Sequence, residues 1–170
     1  RNPNPADVIN LSLGSSSTCS TFEQSVVDRV NAAGTLVVAA AGNSGGSVDS
    51  PANCSNVLSV GALDRDGSRA SYSAIGSGVS LMAPGGFSNG LVGLSNSGST
   101  TPGSASLASK TGTSFAAPFV TASVAVLQAK GMKSPDEIGE ALRRSAVDLG
   151  SKGRDPLYGW GLLKAPSKCR

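Results

Sequence analysis

The sequence predicts an α/β fold, a mainly parallel sheet flanked by helices, on three observations. The first is a strand, helix and strand in quick succession near the start. Two further short apolar runs then read as buried strands. Finally, one helix is apolar on nearly every face and needs a sheet to cover it.

Val8 to Leu13 (VINLSL) is a short apolar run closed by Gly14 and a serine-rich stretch, the pattern of a buried strand ending in a loop. A helix follows. Ser20 or Thr21 can cap it, Gln24 sits at a capping-box position, and Phe22, Val26, Val30 and Ala33 recur at helical spacing before Gly34 stops it. Thr35 to Ala41 (TLVVAAA) reads as the second buried strand. The three make a βαβ unit with parallel strands and a right-handed connection.

Val57 to Leu63 and Val79 to Ala83 are the next strand candidates, separated by a polar turn at Asp64 to Ser68. Gly85 to Lys110 is low in charge and rich in Gly and Ser, so loops with short strands at Leu91 to Leu94 and Ser106 to Ala108 are expected. From Ser114 to Ala129 small residues permit close packing of a buried helix, with Pro118 expected in its first turn, where a missing N–H costs little. A last helix should run from Pro135 to about Val147, capped by Ser134 with Glu137 three residues on.

Composition narrows the function classes. The 170 residues are 39% hydrophobic and only 15% charged, with 22 glycines, which fits one globular unit of tight turns and buried segments. A net charge of +3 without a basic run, and 4% aromatics, exclude a nucleic-acid-binding stripe. Histidine is absent, so no imidazole zinc site and no catalytic His exist within the chain. No stretch is long and apolar enough to span a bilayer, and Arg1 opens no signal peptide. The chain is expected to begin inside a longer protein.

Cys19, Cys54 and Cys169 lack the short paired spacing of thiolate metal sites. Cys19 and Cys54 flank the first βαβ unit in loops that can approach, which predicts a disulfide between them. Cys169 is then left free or paired outside the chain.

Three segments carry candidate chemistry. Gly112 to Pro118 (GTSFAAP) holds Ser114 between a Gly-Thr turn and a helix start. The turn exposes the hydroxyl, and the helix start directs free N–H groups at charge developing on a substrate carbonyl. Taken singly, Ser114 reads more readily as an ordinary N-cap serine. Ala39 to Gly45 (AAAGNSG) ends a buried strand at Asn43, whose amide can offer an N–H beside that of Ser114, although a turn Asn is the plain alternative. Ser12, Leu13 and Gly14 form a strand end able to pair with an extended peptide, or one with no function.

In this order INLSLG, AAAGNSG, APGG at Ala83 to Gly86, GTSFAAP and the Tyr158 to Leu162 segment (YGWGL) resemble the subtilisin-like serine protease family. The resemblance covers nearly the whole chain. It implies a subtilisin-like three-layer fold, of which 1–170 would be the C-terminal half of one peptidase domain, and a secreted endopeptidase working by the Ser-His-Asp mechanism. Ser114 would be the nucleophile and Asn43 an oxyanion donor. Ser12, Leu13 and Gly14 would line one side of the primary specificity pocket, and Ala40, Ala41 and Gly42 the other. Asp49 falls near the pocket floor, where a carboxylate favours Lys or Arg.

The family's catalytic Asp and His precede these segments, so the expected partners are an N-terminal fragment bearing both, together with polypeptide substrates, and neither nucleic acid nor membrane. The chain alone is expected to be inactive. Relatives bind calcium near the segment matching Pro51 to Val57, using a carboxylate where this chain has Ser80, so no metal is assigned there. No cofactor is required for the chemistry, and structural calcium is left to the rest of the domain. A binding module on the same scaffold would differ in the upstream sequence, whereas an esterase elbow, Gly-x-Ser-x-Gly, is excluded because Ser114, flanked by Thr113 and Phe115, is followed by Ala116 where the second glycine would stand.

Overall fold

The computed structural model describes residues 5–86 and 90–166. Cys169 lies outside them. In chain order the elements are β1 (Val8–Leu11), α1 (Thr21–Ala32), β2 (Leu36–Ala40), β3 (Val57–Leu63), β4 (Leu81–Pro84), β5 (Leu91–Asn96), β6 (Ala105–Lys110), α2 (Thr113–Ala129) and α3 (Pro135–Ser145). Four parallel strands form one sheet in the order β1-β2-β3-β4, and β5 and β6 form a separate antiparallel hairpin.

Every residue of β2 and β3 is buried, as expected of central parallel strands covered on both faces. Alternate residues explain how. Leu36, Val38 and Ala40 join Val60, Ala62, Leu81 and Ala83 in a core shared with Ala116, Val120 and Val124 of α2 and with Ile138 and Leu142 of α3. Val37, Ala39 and Ala41 face the other way, toward Val27 of α1, Val48, Ala52 and Met82. The result is three layers, with α1 on one side of the sheet and α2 and α3 on the other. The small side chains of β2 and α2 allow the central helix to lie close on the sheet.

The structure corrects several boundaries. Strand β1 ends at Leu11, not Leu13, because pairing with β2 stops at Ala39. Beyond it the chain turns to Ser50, with Ser15 and Ser50 exchanging backbone bonds of 2.9 and 3.0 Å. The capping box of α1 uses Ser20 and Glu23 rather than Gln24. Gln24 instead ties the Ser55 backbone, accepting its N–H at 2.8 Å and donating to its carbonyl at 3.2 Å. Helix α3 stops two residues short of Val147, whose backbone pairs with Leu162. Helix α2 starts at Thr113, so Pro118 is its sixth residue rather than part of the first turn.

The Cys19–Cys54 disulfide is formed, with Cα atoms 5.1 Å apart. It ties the loop after β1 to the loop before β3, so both ends of the βαβ unit are joined on the α1 side.

Candidate active site

Parallel strands β1 and β2 both deliver their carboxyl ends to the N-terminus of α2, the place where α/β folds gather polar groups. Gly42 ends β2 with φ +116°, a conformation that favours glycine, and its N–H donates to Thr113 Oγ1 at 3.2 Å. Thr113 is fully buried. Its N–H and its hydroxyl both donate to Asn43 Oδ1, at 2.8 and 2.9 Å. With Oδ1 occupied by two donors, the orientation of the amide is settled, and Nδ2 is left as the free donor at the cleft.

Helix α2 has no side-chain cap; its N-cap is Gly112 at φ +143°. Of the first-turn donors, the N–H of Thr113 is taken by Asn43 and that of Phe115 by the Gly112 carbonyl at 3.0 Å. The N–H of Ser114 has no partner among the described residues. Among the described residues two donors of this cleft therefore have no partner, the Ser114 N–H and Asn43 Nδ2, and the helix dipole adds positive potential at the first.

Tyr72 holds this turn from below. Its hydroxyl accepts the Gly112 N–H at 3.0 Å and donates to the Gly85 and Gly86 carbonyls, and burial pushes the phenol above its ordinary range. Tyr72 was not singled out from sequence. A lone aromatic in a serine-rich loop carries no signal that it reaches a turn forty residues on.

A cleft of about 320 Å³ opens beside these donors, lined by Leu13, Gly14, Ala40, Gly42, Asn43, Asp49 and Ser114 among others. The structure thus brings together all but two of the expected site residues. Ser12 sits at the rim, joined to Ser114 by two hydrogen bonds. Ala41 is a correction: it is fully buried on the opposite face of the sheet, packed with Val48, and offers the cleft nothing. Strand alternation is the reason, since neighbours Ala40 and Ala41 must point to opposite faces.

Asp49 is half-buried, and its carboxylate fills the space that a side chain at Gly42 would need. A Cβ there would lie 2.4 Å from Asp49 Oδ2, and one at Gly14 would lie 3.3 Å from Asp49 Cβ. Among the described residues no cation pairs with Asp49, the ion pairs being those of Glu140 with Arg143 and Arg144.

No group of three or more His, Cys, Asp or Glu side chains gathers among the described residues. At Ser80 a neutral hydroxyl accepts the Ser59 N–H at 3.3 Å.

A largely buried helix with a serine as its second residue thus lies at the carboxyl ends of parallel strands, beside a fixed amide, an arrangement suited to nucleophilic hydrolysis. The subtilase family model matches residues 1–161, and the chain belongs to that family. It is 48% identical over 129 residues to an extracellular protease of Xanthomonas campestris pv. campestris, covering 75% of this chain and 22% of that protein. Subtilisin Savinase of Lederbergia lenta is 42% identical over 169 residues, covering 98% of this chain and 58% of the enzyme. A solved protease from Pseudoalteromonas arctica superposes with a TM-score of 0.86 at 39% identity, covering 96% of this chain and 50% of that one. The chain spans little more than half of these relatives at most.

Proposed function

We propose that this chain is the nucleophile-bearing part of a secreted serine endopeptidase that cleaves extended polypeptides, the imidazole base and its aspartate coming from a segment outside the chain. In the proposed reaction Ser114 Oγ attacks the scissile carbonyl carbon while its proton passes to the imidazole. The oxygen, now negative, is held by the Ser114 N–H and Asn43 Nδ2. The imidazolium then protonates the leaving amine, and water releases the acyl group from Ser114 by the same steps in reverse order of roles. Without an imidazole, a serine hydroxyl is a weak nucleophile near neutral pH, and this chain holds none.

The observation that carries this reading is the double tether on Asn43 Oδ1, which leaves its Nδ2 beside the unpartnered N–H of Ser114. The disulfide, and relatives named as extracellular protease, support secretion.

Fluorophosphonate labelling of the protease assembled with its upstream segment tests the proposal. Ser114→Ala should abolish labelling, and Asn43→Ala should lower kcat by about 10²- to 10³-fold. The chain alone should label only weakly. Absence of labelling in the assembled protein would point instead to a binding module.

The same reading extends to the side chain next to the scissile bond. Among the described residues Asp49 is the only carboxylate lining the cleft that holds Ser114, and no cation pairs with it. Lys or Arg at that substrate position supplies one, as the aspartate in the specificity pocket of trypsin does. Loss of such a charged hydrogen bond is worth about 1.5–3 kcal/mol, so Asp49→Asn should cut kcat/KM for Lys and Arg substrates by about 10- to 100-fold and leave Phe substrates unchanged. A cleavage profile identical in the two proteins would reject this preference.

A further inference from the structure

In a regular helix the carbonyl of Ser114 would accept the N–H of residue 118. That residue is proline, which has none. The carbonyl of the nucleophile itself is thus left open by the sequence of its own helix, in the first turn, where carbonyls otherwise accept from the turn that follows.

Ser12 fills it. Its hydroxyl donates to the Ser114 carbonyl at 2.8 Å, and the Ser114 hydroxyl donates back to the Ser12 carbonyl at 3.2 Å. Behind Ser12 the contact is itself supported. Asn10 Nδ2 donates to Ser12 Oγ at 2.8 Å, and Thr121 Oγ1, about two turns beyond Ser114 along α2, donates to Asn10 Oδ1 at 2.9 Å. A short relay therefore leaves α2 at Thr121, crosses the end of β1, and returns to α2 at Ser114.

We infer that Ser12 is a positioning residue for the nucleophile, acting through the carbonyl that Pro118 leaves open. The inference rests on the endopeptidase reading for its kinetic arm. Ser12 Oγ does not touch the reacting bond in this arrangement. It fixes the peptide plane that follows Ser114 against the strand end that, on the endopeptidase reading, pairs with the substrate backbone. Nucleophile and substrate edge are then held in one frame, so that the hydroxyl meets the carbonyl at the angle and distance the attack requires. Proline at 118 has a purpose in this arrangement: an ordinary residue would satisfy the carbonyl from within the helix and make the bond from Ser12 dispensable.

The dependence of Ser12 on Pro118 makes the inference testable in the assembled protease. Ser12→Ala should lower kcat about five- to tenfold with KM changed less than twofold, the scale of one hydrogen bond. Ser12→Thr, which keeps the hydroxyl, should restore most of the rate. In a Pro118→Ala background the restored N–H serves the carbonyl, so adding Ser12→Ala should cost less than twofold. Equal losses in both backgrounds, or no loss with Pro118 present, would overturn the inference.

A second readout does not need activity. Ser-Phe occurs once in the chain, at Ser114-Phe115, so labelling serine carbonyls with ¹³C and phenylalanine with ¹⁵N isolates this one peptide within the chain. Ser12→Ala should move its carbonyl resonance when residue 118 is Pro and leave it nearly still when residue 118 is Ala. An assembled protein that cleaved nothing would refute the endopeptidase reading, while this spectrum would still decide the role of Ser12: an unmoved resonance in the Pro118 protein would overturn it.

Discussion

Replacing Thr113 by Val isolates the hydroxyl that governs Asn43. The two side chains have nearly the same shape, and Thr113 is fully buried, so packing changes little. Two hydrogen bonds are lost: the one accepted from the Gly42 N–H at 3.2 Å and the one donated to Asn43 Oδ1 at 2.9 Å. The first loss leaves a buried N–H unpaired, which should lower stability by about 1–3 kcal/mol. The second removes one of two tethers on Asn43, while the backbone N–H of Thr113 keeps the other at 2.8 Å. Complete removal of an oxyanion donor costs about 10²- to 10³-fold in kcat, so loosening one tether of two should cost about tenfold. KM should stay within twofold, because neither lost bond touches the ground-state substrate. Steady-state kinetics on the assembled protease, at a denaturant-free temperature well below its melting point, give both numbers. The double variant with Asn43→Ala supplies the decisive comparison. If the hydroxyl acts through Asn43, Thr113→Val adds almost nothing once the amide is gone. An undiminished tenfold loss in that background, or a loss expressed in KM, would refute the reasoning.

The Cys19–Cys54 disulfide closes a loop of 35 residues, for which chain entropy predicts about 3–4 kcal/mol of stabilisation. The paired Cys19→Ser and Cys54→Ser variant should lose that much in denaturant titration, and a loss under about 1 kcal/mol would contradict the entropy account. Glu23 gives a pH dependence. Its carboxylate accepts from Ser50 Oγ at 2.7 Å and from the hydroxyl and N–H of Ser20, which draw its pKa down from 4.5 to about 2. The folded pKa is the lower one, so this contribution is complete above about 4.5 and is lost as pH falls toward 2. Melting temperatures between pH 6 and pH 2 should fall more steeply in the native protein than in Glu23→Gln. Parallel curves would show that the bond to Ser50 has no part in acid stability.

The parallel sheet was legible because its strands are short apolar runs with no polar face, and all four appeared within two residues of their expected ends. Helix α2 was legible for the same reason, and the disulfide because the βαβ topology brings two particular loops together. What the sequence concealed was tertiary. Whether Ser20 pairs with Glu23 or Thr21 with Gln24 depends on Ser55, which claims Gln24. Which of two adjacent alanines faces the cleft is decided by register against β1 and β3. The tethering of Asn43 by Thr113 was hidden by seventy intervening residues, since no local pattern marks a buried threonine as the holder of a remote amide.

The three helices differ in one respect that bears on the chemistry. Helix α1 is capped by the side chain of Ser20 and α3 by that of Ser134. Each such cap contributes about 1 kcal/mol by occupying an N–H of the first turn. Helix α2, the most buried of the three, has Gly112 instead and no side-chain cap. A cap oxygen at 112 would bond the second or third helical N–H, and the second is that of Ser114. The missing cap therefore leaves the Ser114 N–H, the proposed oxyanion donor, open. The stability given up locally is offset by the apolar face that α2 buries against β2, β3 and β4, and by Asn43 and Tyr72, which bond the turn on either side of the N–H that stays open. Ordinary capping rules hold at α1 and α3, where the helix end has only stability to serve. They fail at the one helix end where an unpartnered donor is the useful state.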